Sequence, residues 1–369
     1  MRRWRVPPGE RPVLHQPTAH IHAIGTAVPD HDIHLPFIDW ARGRIAEDRV
    51  RAVFERMAAR SGIDHRWSVL PRAADGGSPV ARGGFYAEGR MPPTSERMKL
   101  YGEHAPALAL RAIADLAERV SIDGITHLVV ASCTGFVAPG IDQIIAARIG
   151  LSPSVERTLV GFMGCYAAVA ALRVAHHIAR SEPEARILVV TVELSTLHLQ
   201  PATEIEPLLA MLQFADGAAA ALVCGQPAGF AMHGFFAATL PDSANLIQWS
   251  VGDTGFAMHL SGEVPSRIGQ ALLDPAMRDT LFIAGEMPEA WAVHAGGRSI
   301  LDAVEHGLDL PATALDASRD VLRRYGNMSS ATLMFVLAQL QAGPAATHGA
   351  ALAFGPGLAA EGFHFGSAS

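Results

Sequence analysis

Three residues of this 369-residue chain stand in glycine-marked turns and could form one reactive centre. Cys165 lies in the run GFMGCYAA, between a short apolar, strand-like segment and an alanine-rich stretch with helical spacing. At a helix N-terminus, the helix dipole favours a thiolate and lowers the pKa of the thiol. The turn therefore predicts a nucleophilic Cys165, although a lone cysteine beside alanines is more often a small core residue.

A histidine and an asparagine further along the chain favour the reactive interpretation. His294 ends the short predicted strand WAVH and precedes two glycines, and strand ends are where α/β folds place reactive groups. Asn327 lies in YGNMSSAT, before another predicted helix. A Gly-Asn turn can be a simple helix cap, but an amide and an imidazole N–H can also stabilise a developing oxyanion, which a carboxylate would repel. Together with a thiol, these residue types suit nucleophilic acyl transfer.

Alternating strands and helices must position these residues. Near-continuous apolar runs at 127–133, 186–192 and 218–224 are typical of buried strands, and stretches with helical spacing separate them. The pattern predicts an α/β fold with a mostly parallel, helix-covered sheet. The other stretches are predicted to be an irregular arm at 1–19, one helix at 38–61, a surface loop at 71–93 and a less regular region at 241–289.

The two halves of the chain, 1–225 and 226–369, share a pattern of elements. In each half, a glycine turn opens a buried helix that is followed by an apolar strand. Residue identity between the halves is slight, so the pattern is one of elements and not a proven sequence repeat. If the halves pack around a pseudo-two-fold axis, the turns of Cys165 and Asn327 meet in one central pocket.

Composition disfavours several classes of function. A net charge of −7 and a pI near 6.2 give no general basic character for nucleic acid. Three cysteines are too few for a disulfide framework and lack metal-ligand spacing, so we expect no metal. No apolar run approaches the length of a membrane span, and no apolar segment of signal-peptide type follows the basic N-terminus. We therefore expect a cytoplasmic protein.

In this order and at these spacings, GFMGCYAA, LQFADGAAAAL, WAVHAGGRSIL, YGNMSSAT and FGPGL resemble the chalcone-synthase-like type III polyketide synthases, most closely the bacterial members. The match runs from about residue 24 to residue 357. The resemblance implies a thiolase-like fold of two pseudo-symmetric αβαβα halves, with mostly parallel sheets, and a homodimer. It also implies an acyltransferase that takes an acyl-CoA starter and malonyl-CoA as substrates and uses no metal or redox cofactor.

The resemblance assigns a role to each reactive residue. Cys165 would accept the starter acyl group from its CoA thioester. His294 and Asn327 would bind the malonyl thioester carbonyl and stabilise the enolate that remains when carbon dioxide leaves. Repeated attack of that enolate, followed by cyclisation, would give a pyrone, a resorcinol or a related polyphenol. The starter, the number of extensions and the mode of cyclisation stay open.

Further positions match the family's cavity and CoA-binding residues. Phe214 resembles one of two gatekeeper phenylalanines, and Met258 stands at the second gatekeeper position. Trp249 and His198 replace small residues of the plant enzymes and should shrink or redirect the chamber, which disfavours a chalcone product. The remaining matched positions are Cys133, Ser195, Ser329 and Ala138 for the cavity, the last replacing a residue that reaches into the partner subunit, and Arg56, Arg60, Ala295, Gly296 and Gly297 for CoA.

Other members of the same superfamily are the alternatives. A β-ketoacyl-ACP synthase of the initiating kind shares the three reactive residues, but its histidine precedes Gln-Ala-Asn and its asparagine precedes Thr-Ser. A hydroxymethylglutaryl-CoA synthase needs a glutamate near the cysteine turn, and a degradative thiolase needs a second reactive cysteine near the C-terminus, whereas no cysteine follows Cys224. An inactive thiolase-fold scaffold is a remote alternative, because all three reactive residues are intact.

Overall fold

The computed structural model describes residues 18–73, 77–282 and 285–368 and contains one large sheet flanked by helices. In chain order, the strands are β1 (Ala19–Ala27), β2 (His31–Asp32), β3 (Trp67–Ser68), β4 (His127–Ser132), β5 (Glu156–Gly161), β6 (Arg186–Leu194), β7 (Asp216–Cys224), β8 (Phe230–Thr239), β9 (Ile247–Gly252), β10 (Gly255–Leu260), β11 (Ala290–Val293), β12 (Gly349–Gly355) and β13 (Ala359–Ser367).

The helices cover both faces of this sheet, and some of them are buried in the core. In chain order, they are α1 (His34–Arg44), α2 (Asp48–Ala59), α3 (Thr94–Ala117), α4 (Ile141–Arg148), α5 (Ala167–Ser181), α6 (Ile205–Met211), α7 (Val264–Leu272), α8 (Pro275–Leu281), α9 (Arg298–Leu308), α10 (Asp316–Tyr325) and α11 (Ser330–Gln341). In the described parts of the chain, we find no helix with both the length and the apolar character that crossing a bilayer requires.

The main sheet has the strand order β11-β12-β13-β8-β1-β7-β6-β4-β5. Parallel pairing is found towards its two ends, where β4 pairs with β5 and β6, and β11 pairs with β12. The strands between them, from β6 through β7, β1, β8 and β13 to β12, pair antiparallel. The α/β architecture expected from the sequence is confirmed, but among the described residues three of the eight pairings of this sheet are parallel and five are antiparallel, so the sheet is mixed and not mostly parallel as expected.

The order of the strands repeats on the two sides of the β1–β8 pair. Outward from β1 the sheet continues with β7, β6 and β4, and outward from β8 it continues with β13, β12 and β11. Helix α5 leads into β6, and α11 leads into β12, so these two helices occupy equivalent places. The repeated pattern of elements is thus visible in the topology. Because one sheet runs through both halves, their division into separate units at 225/226 stays a prediction.

Helices α5 and α11 lie in the core, against the same sheet. Residues 330–337 of α11 are buried on all sides, and α5 buries a run of small alanine side chains from Ala167 onward. A helix that is apolar all round must be enclosed by protein, and small side chains allow close packing. Since α5 begins just after Cys165 and α11 just after Asn327, enclosing both helices brings the two turns together.

Several predicted elements were wrong. The single helix predicted at 38–61 is two helices, because Ile45 is extended and buried and lets α2 fold back against α1. The region 241–289, predicted to be less regular, contains the β9–β10 hairpin and helices α7 and α8. Strand β13, which was not predicted, lies between β12 and β8 in the sheet and connects these two strands of the C-terminal half. Most of the predicted arm at 1–19 lies outside the described residues.

Close packing of β1 on α3 gives a test of this architecture. A Cβ atom added at Gly25 would meet the α3 backbone at Ala112 and Leu116, 2.7 Å from the Leu116 Cα atom. We expect Gly25→Ala to lower the free energy of unfolding by about 1–3 kcal/mol, the usual cost of overpacking. Urea denaturation should show this as a lower midpoint with an unchanged slope.

The matched control is Gly43→Ala, because an added Cβ there meets no atom within 4 Å and Gly43 is exposed on α1. Removing a helical glycine should raise the free energy of unfolding by up to about 1 kcal/mol. Equal midpoints for the two variants would contradict the packing of β1 against α3.

Candidate active site

The Cys165 turn is fixed by close packing of backbone. Phe162 and Gly164 have positive φ angles of 57° and 76°, which turn the chain sharply between β5 and α5. Gly164 packs directly against the ring of Pro356, so a side chain at this glycine would collide with the 355–357 turn. A short 3-10 turn, Gly164–Tyr166, then carries Cys165 to the start of α5. The thiol is 9% exposed and faces a small internal chamber.

Asn327 is held by backbone and side-chain hydrogen bonds. Its N–H donates to the Gln213 carbonyl (2.8 Å), and its carbonyl accepts from the Ala215 N–H (2.9 Å). Its side-chain Oδ1 accepts from the Ser329 N–H (2.8 Å), and its Nδ2 donates to the Gly296 carbonyl (3.2 Å). Ser329, not Asn327, occupies the N-cap position of α11. One of the two Nδ2 hydrogens therefore stays available for another acceptor.

His294 follows the last residue of β11, and its N–H donates to the Leu352 carbonyl (2.8 Å). The ring is buried, and neither nitrogen has a hydrogen-bond partner among the described residues. Burial lowers the pKa of His294 to about 3, so the imidazole is neutral and offers one donor and one acceptor. A buried polar group without a partner is unusual, so the two free nitrogens make His294 a candidate for contact with a substrate.

Two of the three predicted site residues are in direct contact, and the third is connected to them. The Asn327 and Ser329 side chains lie beside the Cys165 thiol, where they favour its ionised form. His294 is connected through Gly296, two residues further along, whose carbonyl binds Asn327. The predicted meeting of the Cys165 and Asn327 turns is thus present.

The expectation of a lowered thiol pKa was wrong. Burial raises the pKa of Cys165 to about 12; hydrogen bonds from Ser329 and Asn327 lower it only in part, and the nearby Glu193 carboxylate raises it further. The helix dipole corresponds to about half a charge, which does not offset the loss of solvation. The site therefore holds a neutral thiol and a neutral imidazole, and the thiolate must form by transfer of a proton.

Glu193, at the end of β6, is a residue of the site that the sequence analysis missed. Its buried carboxylate accepts hydrogen bonds from the Cys133 N–H (3.0 Å), the Thr134 hydroxyl (2.8 Å) and the Ser330 hydroxyl. It thereby connects β4, β6 and the first turn of α11. The signal that could have revealed it is a single acidic residue in the otherwise apolar strand RILVVTVEL.

Most of the predicted cavity residues line the chamber that contains Cys165. This chamber is a space of ≈ 330 Å³, part of it open to solvent, and the predicted residues on its wall are Cys133, Ser195, Phe214, Trp249, Met258 and Ser329. A second, larger cavity of ≈ 810 Å³, part of it open to solvent, adjoins it and shares Ser195, Phe214, Trp249 and Met258. The two spaces are therefore separated by a wall of four side chains.

The β9–β10 hairpin supplies half of that wall. Trp249 and Met258 face each other across the hairpin, and the Trp249 Nε1–H donates to the Cys133 carbonyl (3.1 Å). His198 lies behind them, stacked on Phe256 at 4.1 Å. Its ring nitrogens contact the Thr134 carbonyl (2.7 Å) and the Phe256 N–H (3.0 Å). With both nitrogens satisfied and a pKa lowered to about 3 by burial, His198 is a neutral residue that lines the larger cavity and not the chamber of Cys165.

Comparison with known proteins identifies the family. The profile for the N-terminal domain of chalcone and stilbene synthases matches residues 9–227, and the profile for their C-terminal domain matches residues 232–368. The chain belongs to the chalcone and stilbene synthase family. It is therefore a type III polyketide synthase, an acyltransferase, as the sequence motifs predicted.

Individual relatives agree with this assignment. The chain is 36% identical over 296 residues to the α-pyrone synthesis polyketide synthase-like Pks18 of Mycobacterium tuberculosis, which covers 75% of this chain and 74% of that protein. Among solved structures, PKS-I of the brown alga Ectocarpus siliculosus has a TM-score of 0.84 and 28% identity over 96% of this chain and 99% of that one. The type III domain of Steely1 from Dictyostelium has a TM-score of 0.83 and 26% identity over 95% of this chain and 100% of that one. The thiolase-like fold is confirmed.

The positions predicted to bind CoA belong to the end of α2 and to the turn between β11 and α9. Arg56 and Arg60 are exposed at the C-terminal end of α2. The Arg298 side chain, at the start of α9, donates to the Arg60 carbonyl (3.3 Å) and so connects this end of α2 to the segment of Ala295, Gly296 and Gly297. Ala295 is buried, whereas Gly296 is partly exposed.

One residue predicted for the cavity, Ala138, is not part of the chamber. Ala138 is exposed and lines neither cavity of the protomer. In the described ranges, no group of three or more His, Cys, Asp or Glu side chains is arranged to hold a metal ion.

The free imidazole generates a prediction about thiol reactivity. If His294 takes the proton of Cys165, His294→Ala should slow alkylation of Cys165 by iodoacetamide at pH 7 by about 10²-fold or more, the usual contribution of a general base. In the variant, the rate should rise about tenfold per pH unit from pH 7 to 10, because a thiol with a pKa near 12 ionises in that proportion. Peptide mass spectrometry of the alkylated protein measures both rates.

Cys133 and Cys224 are the internal controls. Both are buried free thiols with pKa values raised by burial, and both should react more slowly than Cys165 in either protein. An unchanged Cys165 rate in His294→Ala would show that the two side chains do not act together.

The shared wall generates a prediction about chain length. Trp249→Gly should join the two cavities and shift the products towards longer acyl starters or further extensions, as product mass spectrometry would show. The control is Val251→Ala on the same hairpin, because Val251 is 55% exposed and lines neither cavity. Identical product profiles for the two variants would show that Trp249 does not limit the length of the product.

Proposed function

We propose that this type III polyketide synthase extends an acyl-CoA starter by iterative decarboxylative condensation with malonyl-CoA. The observation that carries the proposal is the placement of the three reactive residues. Cys165 lines a small chamber and lies beside Asn327, and the buried His294 imidazole, whose two nitrogens have no partner among the described residues, is connected to Asn327 through Gly296. No cofactor besides the CoA thioester substrates is needed, because loss of carbon dioxide supplies the driving force.

Loading of the starter begins with proton transfer. His294 accepts the Cys165 proton, and the resulting thiolate attacks the thioester carbonyl of the acyl-CoA. The carbon–sulfur bond to CoA breaks, and the departing CoA thiolate recovers the proton from His294. The starter is then a thioester on Cys165, and the imidazole is neutral again.

Extension uses the same donors on a second substrate. The malonyl thioester carbonyl accepts hydrogen bonds from the His294 ring N–H and the free Nδ2–H of Asn327. The carboxylate carbon–carbon bond breaks, carbon dioxide leaves, and the electron pair is held as an enolate that these donors stabilise. The enolate carbon attacks the acyl group on Cys165 and releases the thiolate. Apolar side chains such as Phe214 and Met258 favour the loss of charge that decarboxylation brings.

Cavity shape supports an apolar starter and a compact product. The larger cavity is lined mainly by aliphatic and aromatic side chains, among them Phe37, Leu70, Val80 and Met211, so an alkyl chain would fit it better than a charged group. The smaller chamber leaves room for few extensions before cyclisation. Together with the α-pyrone activity in the name of the mycobacterial relative, this favours a pyrone among the products considered.

Exposed positions support the substrate and partner assignments. Arg56 and Arg60 carry positive charge beside the Gly296 turn, as contact with CoA phosphates requires. A homodimer is supported by exposed apolar side chains at and beside the edge strand β5, namely Phe136, Leu159 and Phe162, with Ala138 nearby in the chain. Free, buried cysteines are consistent with the proposed cytoplasmic location.

The decisive experiment supplies purified protein with isotopically labelled malonyl-CoA, a series of acyl-CoA starters of increasing length, and acyl-ACP in a parallel arm. We expect free, cyclised products with several labelled two-carbon units from CoA substrates, identified by mass spectrometry. A single condensation seen only with ACP substrates would instead identify a β-ketoacyl-ACP synthase. Loss of all turnover with every substrate would favour an inactive scaffold.

Two variants test the assigned roles. Cys165→Ala should abolish extension while malonyl-CoA decarboxylation continues, because the oxyanion donors remain. Asn327→Asp should lower the decarboxylation rate by about 10²–10³-fold, since a carboxylate repels the developing enolate oxygen. The rate of carbon dioxide release measures decarboxylation in both variants. Near-normal release by Asn327→Asp would limit Asn327 to a structural turn.

A further inference from the structure

Arg66 is a buried cation close to the site, and no step of the reaction above uses it. It precedes β3, its side chain is 1% exposed, and it lines the larger cavity. The described residues place no carboxylate within ion-pair distance of its guanidinium, and burial lowers its pKa. A buried charge without a direct counter-ion is costly, so such a group is a candidate for a functional role.

The guanidinium binds one particular backbone segment, residues 211–216. Its Nη1 donates to the carbonyls of Phe214 (2.8 Å) and Met211 (2.9 Å). Its Nε donates to the ring Nδ1 of His34 (3.1 Å), and its plane lies over the Phe37 ring at 4.5 Å. Five donors in a rigid fork allow one arginine to hold several acceptors at fixed positions.

The same segment also carries Asn327 on its other side. Gln213 and Ala215 exchange backbone hydrogen bonds with Asn327, which forms an isolated parallel bridge with Phe214. Gly326 completes the connection, because a Cβ added there would lie 2.9 Å from the Cγ of Arg66 and 3.0 Å from the Gln213 carbonyl oxygen. The stem of Arg66 therefore packs against the residue that precedes Asn327.

We infer that Arg66 is a positioning residue for condensation: it fixes segment 211–216, and through that segment it sets the places of the Phe214 ring and the Asn327 amide. The inference rests on the proposed function, in which Asn327 stabilises the enolate oxygen. It differs from a general packing role, because both hydrogen bonds of the Arg66 Nη1 end on the segment that pairs with Asn327.

The test separates binding, loading and decarboxylation. In Arg66→Met, intact-protein mass spectrometry measures starter loading on Cys165, and carbon dioxide release is then expressed per loaded site. We expect kcat for decarboxylation to fall by about 10–100-fold, because displacing a hydrogen-bond donor by about 1 Å lowers the rate by about that factor. KM for malonyl-CoA should stay within about twofold, since the exposed arginines of α2 are unchanged. Arg66→Lys, which keeps a charged donor, should recover part of kcat.

Arg97→Met is the matched control. Arg97 is also fully buried and donates to three backbone carbonyls, those of Pro92, Leu197 and Leu199, but it makes no hydrogen bond to segment 211–216. The Arg97→Met variant should lose about as much thermal stability as Arg66→Met, but it should keep the wild-type decarboxylation rate per loaded site.

The results distinguish a positioning role of Arg66 from a purely structural one. A wild-type rate per loaded site in Arg66→Met, or a raised KM with an unchanged kcat, would overturn the inference. If Arg66→Met does not fold, Arg66→Lys and His34→Ala decide instead: a lowered rate in either supports the inference, and wild-type rates in both reject it. Failure of the wild-type protein to release carbon dioxide would reject the proposed function itself, and the inference with it.

Discussion

The chamber depends on one buried carboxylate. Removing an ionised glutamate from water is costly unless donors replace its hydration, and Glu193 meets this condition with the Cys133 N–H and thiol and the Thr134 and Ser330 hydroxyls. These donors come from both halves of the protein, so satisfying one charge fixes the end of β4 against the start of α11. The negative charge of Glu193 also opposes ionisation of Cys165, so the thiol is neutral in the resting enzyme.

The wall of the chamber and its reactive groups follow opposite rules. Residues that line the two cavities, such as Trp249 and His198, have their polar atoms paired, which makes them rigid and chemically silent. His294 keeps both ring nitrogens unpaired, although it is equally buried. A reaction that creates and removes negative charge needs hydrogen-bond donors that have no partner within the protein. The residues around these donors must not compete with them for the substrate. The contrast between satisfied and unsatisfied groups therefore sets His294 apart from Trp249 and His198.

The sequence predicted the reactive turns better than their environment. Glycine-flanked Cys165 and Asn327 were recognisable because local turn geometry and helix starts leave a short-range signal. The ionisation of Cys165 was not predictable, since burial depends on helices and strands that are distant in the chain. The contacts of Glu193 and Arg66, and the pairing of β13, depend on partners separated by many residues, and periodicity carries no information about them. The hairpin with Trp249 was missed because its alternation is weak.

The position of β1 in the middle of the sheet has a consequence for synthesis on the ribosome. Strand Ala19–Ala27 is made before its partner Asp216–Cys224, which follows nearly two hundred residues later. At roughly 5–20 residues per second, the apolar edges of β1 stay unpaired for about 10–40 s. Pairing between strands so distant in sequence is slow to form and exposes the nascent chain to aggregation. We therefore expect the newly made polypeptide to depend on chaperones until β7 has emerged.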